Sequence, residues 1–93
     1  MAIKSFQHKG LENLFKKGSK AGIKPEHADR LRARLAHLDA ARSPLDMNLP
    51  GWYLHELKGD MAGRWSVTVS GNWRMTFEFE GSDAILVGYE DYH

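Results

Sequence analysis

Asp91, Tyr92 and His93 stand side by side in the sequence. These three side chains are among the most used in proton transfer and in nucleic-acid chemistry. A second histidine, His55, precedes Lys58 by three positions in "LHELKG", and the only other cations from residue 48 onward are Arg64 and Arg74. Histidine titrates near neutral pH, so two of them can divide the acid and base parts of one reaction. Lysine and arginine can hold a phosphate, arginine through two parallel N–H groups. The remaining histidines, His8, His27 and His37, fall in the first half and read as surface or helix-edge residues. By type alone the set is open to other readings. His55 and Arg74 also suit the ordinary wet side of a sheet, and Arg74 could pair with Glu56 or Glu78. His55, His93 and Asp91 could ligate zinc, although their spacing matches no zinc motif.

The elements that must carry these residues follow from periodicity. "IKSF" at 3–6 reads as a short edge strand. "GLENLFKKG" puts Leu11, Leu14 and Phe15 on one helical face, and Gly18 stops it. "KPEHADRLRARLAHLDAA" is a helix whose Ala28, Leu31, Leu35 and Leu38 form one apolar stripe, with Pro25 in the first turn. Arg30, Arg32 and Arg34 lie off that stripe, either as a solvated face or as RNA contacts. "ARSPLDMNLPG" at 41–51 is a loop. From residue 52 the period becomes two: strands are predicted at 52–57, 65–70, 73–80 and 84–89, separated by glycine-containing turns. Two helices before an antiparallel meander make an α+β fold in one domain spanning 1–93. Trp65, Val67, Val69, Trp73, Met75, Phe77 and Phe79 should pack on the helices, with Trp65, Trp73 and Phe77 meeting Leu31, Leu35 and Leu38. His55, Arg74 and Thr76 should share the other, polar face, with Lys58 at its rim.

The bulk numbers limit the function. In 93 residues there is no cysteine, which excludes disulfides, thiolate metal sites and a thiol nucleophile and fits a reducing, cytoplasmic setting. No apolar run is long enough to span a membrane, and the first ten residues lack the apolar core of a signal peptide. The net charge is +1, but residues 1–47 hold ten Lys/Arg against five Asp/Glu, whereas residues 48–93 hold three against seven. The first half is therefore a plausible footprint for RNA or another acidic partner.

Three motifs in order, L-x-G-D-x-x-G-x-W-S from Leu57, N-W-R-x-T-F from Asn72 and D-Y-H from Asp91, resemble the HigB toxins of the RelE-like superfamily, which are ribosome-dependent mRNA endonucleases of bacterial type II toxin–antitoxin pairs. The opening "IKSFQHKGLENLFKKG" is similar too, and residues 19–50 are weakly diagnostic. The resemblance implies two N-terminal helices packed on a curved antiparallel sheet whose open face holds RNA. It implies His55, Lys58, Asp91, Tyr92 and His93 as catalytic positions, with Arg74 and, less firmly, Arg64 binding the phosphate. In such a reaction the ribose 2′-OH attacks the adjacent phosphate and a 5′-OH leaves. The protein takes one proton, gives another and stabilises the extra negative charge. The scheme requires no metal or cofactor. The implied partners are the ribosome with its mRNA and a HigA-like helix-turn-helix antitoxin, with operator DNA reached only through that antitoxin. An alternative is a module of the same fold that binds the ribosome or a partner protein with an inactive site. A convergence of His55, Lys58, Arg74 and His93 on one concave patch would favour the enzyme.

Overall fold

The computed structural model describes residues 3–59 and 63–92, so His93 and the centre of the turn after Lys58 lie outside the described residues. The first helix, α1, runs Lys9–Lys17. His8 caps it by accepting the Leu11 N–H on Nδ1 at 3.2 Å. Gly18 ends it in the left-handed conformation, φ +72°, which a residue with a Cβ adopts at a cost. The second begins as a 3₁₀ turn, Pro25–His27, and continues as α2, Ala28–Ala40. Its stripe of Ala28, Leu31, Leu35 and Leu38 is buried as expected. A further 3₁₀ turn, Pro44–Met47, sits in the proline loop and drops Met47 into the core.

Four antiparallel strands follow in the order β1 (His55–Glu56), β2 (Arg64–Ser70), β3 (Trp73–Glu80) and β4 (Asp83–Asp91). The segment at 3–6 lies along β4, as an edge element should. It makes two parallel bridges, Ile3 to Ala84 and Phe6 to Val87, instead of a continuous ladder. The strand expected at 52–57 is mostly irregular, and only two of its residues pair in the sheet. The reason is one extra residue. Thr68 N–H donates to the Trp52 carbonyl at 2.7 Å, while His55 stands opposite Ser66. Two steps on β2 are thus matched by three on the incoming chain, which breaks the alternation.

Phe77, Met75, Val67, Val69 and Val87 pack with Leu31, Leu35 and Leu38 in one buried cluster that also holds Leu11 and Leu14. Phe77 is fully buried as expected, but Trp65 and Trp73 are only partly so and sit at the margin of the cluster. Trp73 stacks at 4.7 Å on Tyr89 and meets His27 edge-on. His27, read as a surface or helix-edge residue, stands at the start of α2 but is buried, with Nδ1 2.6 Å from the Tyr89 hydroxyl. Two of the three off-stripe arginines are structural. Arg34 is buried, donates from Nε to the Thr68 carbonyl at 2.8 Å and lies 4.6 Å from the Trp52 ring. Arg30 donates to the Val69 carbonyl at 3.0 Å. Position 34 is one helical step of three from Leu31, so it borders the stripe, and its guanidinium ties α2 to the end of β2.

Candidate functional site

The face of the sheet turned away from the helices is built in cross-strand rows. His55, Ser66, Thr76 and Gly88 are successive partners across all four strands and so share that face. The neighbouring row is Thr68, Arg74 and Glu90, two residues farther along each strand. On the other side lie Arg64 and its partner Glu78. Two residues past Glu90 comes Tyr92, whose N–H donates to the Asn72 carbonyl at 2.8 Å and so holds the chain beside β3.

This face is drier than a free polar face should be. Ser66 and Thr76 are fully buried and Arg64 is only 6 % exposed. Arg64 itself covers Thr76. Its Nη2 donates to Thr76 Oγ1 at 2.7 Å and to the Leu86 carbonyl at 3.2 Å, and its Nη1 pairs with Glu78 at 3.1 Å. The resemblance placed Arg64 among the phosphate ligands. In this structure its guanidinium is held by three protein partners, one of them the carbonyl of Leu86, whose backbone φ is +53°. Gly88 completes the floor. A Cβ built on it would stand 2.7 Å from Thr76 Oγ1, so the row has room only for a hydrogen at this position.

An open depression of about 380 Å³ is lined by Tyr53, Leu54, His55 and Arg74. His55 is exposed on β1 and Arg74 is half-buried on β3. The Arg74 guanidinium reaches Thr68 Oγ1 at 3.5 Å and lies 5.8 Å from the centre of the Tyr92 ring, so Arg74 links the His55 row to Tyr92. The Tyr92 hydroxyl is 3.5 Å from Glu90 Oε2. Burial and then the Glu90 carboxylate push the Tyr92 phenol above its ordinary pKa, against the pull of Arg64 and Arg74. It is therefore a neutral donor at physiological pH. Lys58 is exposed just past the point where the Leu57 N–H donates to the Arg64 carbonyl, at the rim.

Asp91 is set differently from its neighbours in the sequence. It stands opposite Trp73, and strand alternation gives it the Tyr89 side of β4, whereas Glu90 and Tyr92 take the Arg74 side. The sequence-predicted set is thus partly assembled: His55, Arg74 and Tyr92 share one surface with Lys58 at its edge, Arg64 lies in the row beside them with its guanidinium held by protein groups, Asp91 turns away, and His93 lies outside the described residues. Among the described residues no three His, Asp or Glu gather as a metal site, and no helix is long and apolar enough to cross a membrane. Tyr53, which lines the depression, is absent from the sequence-predicted set. Strand alternation had given it the face of His55 but no role, and the extra residue that presents it leaves no periodic signal.

Residues 4–93 match the model of the HigB-like toxin family, described as the RelE-like toxin HigB of type II toxin–antitoxin systems. The endoribonuclease HigB of Proteus vulgaris is 48 % identical over 91 residues, which cover 98 % of this chain and 99 % of that protein. The chain belongs to the HigB-like family, RelE-like toxins of type II toxin–antitoxin systems.

Proposed function

We propose that this toxin is an endoribonuclease that cuts mRNA on the ribosome in the cytoplasm, using the outer face of the sheet as its active site. The observation that carries the reading is the convergence of His55 and Arg74 on one depression, with Tyr92 against the Arg74 guanidinium. Family membership gives it an antitoxin partner. A HigA-like helix-turn-helix protein that also carries the operator-binding function fits that role.

In the proposed reaction the scissile phosphate lies between Arg74 and His55, and Lys58 approaches it from the rim. Both cations oppose the charge that builds up as the 2′-OH attacks. The dry floor of Ser66, Thr76 and Gly88 strengthens that opposition, because a charge over buried protein is screened less than one in water. His55 and His93 divide the proton transfers: one takes the 2′-OH proton and the other protonates the departing 5′-oxygen. Asp91, two positions before His93, is by type also open to a role as the base; since it faces the Tyr89 side of β4, it is proposed only to orient His93. The neutral Tyr92 phenol donates to a phosphate oxygen or carries a base on its ring. The bond formed is 2′-O to phosphorus and the bond broken is phosphorus to 5′-O, so the products are a 2′,3′-cyclic phosphate and a 5′-hydroxyl end.

A net charge of +1 is weak for a protein that must hold RNA unaided, which favours delivery of the substrate by the ribosome. The test compares a defined mRNA in translating ribosomes with the same RNA free in solution. Cutting should require the ribosome, and a 2′-deoxy substitution at the cut site should block it. Efficient cleavage of naked RNA at physiological salt would refute the ribosome step. Full activity of both His55→Ala and a chain lacking His93 would refute the site and leave a binding module.

A further inference from the structure

We propose that Tyr53 is a base-stacking platform for the RNA substrate and that it influences which sites are cut. This rests on the outer-face depression being the active site. Tyr53 and Leu45 are the only large hydrophobic residues strongly exposed among those described, and Tyr53 is 72 % exposed. It lines the same depression as His55 and Arg74. A nucleotide placed there offers its phosphate to Arg74 and has its base free to lie on an aromatic face, the usual way proteins hold unpaired bases.

The backbone shows that this exposure is built rather than incidental. Tyr53 has φ +50°, a left-handed conformation that is rare for a bulky side chain. It occupies the stretch where three steps of the incoming chain match two on β2. The residue before it is held on both counts: the Trp52 carbonyl accepts from Thr68, and the Trp52 ring meets the Arg34 guanidinium at 4.6 Å and the His37 ring edge-on at 5.4 Å. His55, two residues later, is fixed opposite Ser66. Tyr53 is thus turned outward by a bulge anchored at each end, and bulges beside active sites commonly re-aim a side chain. An aromatic ring held in water by a strained backbone gains contact area when a flat ligand covers it. The adjoining Arg74 gives that ligand its charge: a phosphodiester. A protein docking on the same ring is the competing occupant, and the test separates the two.

Translating ribosomes carrying a pool of mRNAs would be cut by the full chain and by Tyr53→Phe, Tyr53→Ala and Tyr53→Gly, with every cut position sequenced. Phe keeps the ring and should stay within about threefold of the native kcat/KM. Ala and Gly should each lose about 5- to 150-fold, the usual worth of one base–aromatic stack, mainly as a raised KM and with a flatter distribution of cut sites. Gly also accepts the left-handed backbone, so its Tm should match or exceed the native value and exclude unfolding as the cause. Native kcat/KM and an unchanged cut-site distribution in Tyr53→Ala would overturn the proposal. So would native cleavage with weakened antitoxin binding, which would make the ring a protein contact. His55→Ala run alongside distinguishes the two readings: full activity there would remove the site assignment itself, whatever Tyr53 does.

Discussion

Arg64→Met is the substitution that best separates a phosphate ligand from an internal strut. Methionine keeps much of the length and apolar stem but no donor. In the native protein Arg64 serves Thr76 Oγ1, the Leu86 carbonyl and Glu78. Glu78, whose side chain is 31 % exposed, can turn to water when its partner goes, so it contributes little to the loss. Thr76 is fully buried and the Leu86 carbonyl lies at a left-handed residue, so neither is readily resolvated. Leaving a buried polar group unpaired costs about 1–3 kcal/mol, and removing a buried charge returns part of the total. The expected loss is about 2–4 kcal/mol, a large share of the roughly 5–14 kcal/mol available to a domain of this size. Urea unfolding followed by tryptophan fluorescence should show the midpoint falling at nearly constant slope. Measured well below the melting transition, cleavage should fall far less than in Arg74→Met. An unchanged midpoint with a hundredfold loss of cleavage would refute the reasoning and restore Arg64 to the phosphate.

Phe77→Ala should cost about 3–5 kcal/mol in the same assay, because the ring is fully buried among α2 and three strands; a loss under about 1 kcal/mol would mean it is not the centre of the core. Ser66→Ala should raise stability by about 1 kcal/mol, since Ser66 Oγ is a buried hydroxyl without a hydrogen-bond partner among the described residues; a clear loss would show that it has one. Burial holds His27 below its ordinary pKa of 6.5, so the unfolded chain binds this proton more readily than the native one. Stability from this source is full above pH 6.5 and is lost as the pH falls below it towards the native pKa. His27→Gln should flatten the dependence of stability on pH in that window, with His8, also lowered by burial, supplying what remains. Reversing Lys16, Lys17 and Lys20, all exposed on or just after α1, should reduce the salt dependence of ribosome binding without moving the cut site; an unchanged salt slope would rule out that surface.

The parts of the molecule legible from sequence are those where periodicity reports burial directly. Leu31, Leu35 and Leu38 at helical spacing, and Val67, Met75 and Phe77 at strand spacing, gave the two layers and their inner faces. The pairing of His55 with Arg74 followed because both occupy the polar phase of the meander. What escaped depends on irregularity or on long side chains. One inserted residue between Trp52 and His55 dissolved most of a strand and turned Tyr53 outward. A second register shift, between Thr76 and Glu78, created the left-handed Leu86 that draws Arg64 inward. Arg30 and Arg34 misled for another reason: alternation and stripe locate a Cα, whereas a guanidinium several ångströms away goes where carbonyls are short of donors. Asp91 and Tyr92 are adjacent in the motif, and in an extended strand adjacency itself puts them on opposite sides.

The cations of this chain thus fall into classes that charge counting cannot separate. Arg34 and Arg64 are buried against carbonyls, and Arg64 also meets a carboxylate. Arg74 is half-buried above that layer, against a hydroxyl and an aromatic ring. The arrangement has an electrostatic consequence. Arg64, in the row beside Ser66 and Thr76, is offset by Glu78, so it adds little net positive charge to the face but excludes water from Thr76 and the space above Gly88. Arg74 then stands beside a floor that is shut off from water, where the attraction for a phosphate proposed for it is less screened than at an open surface. A small domain has too little core to bury a phosphate deeply. An internal ion pair that keeps water from the floor of the proposed shallow site achieves part of the same effect, and the floor stays low because its residues are small: a serine, a threonine and a glycine whose Cβ would stand 2.7 Å from Thr76 Oγ1.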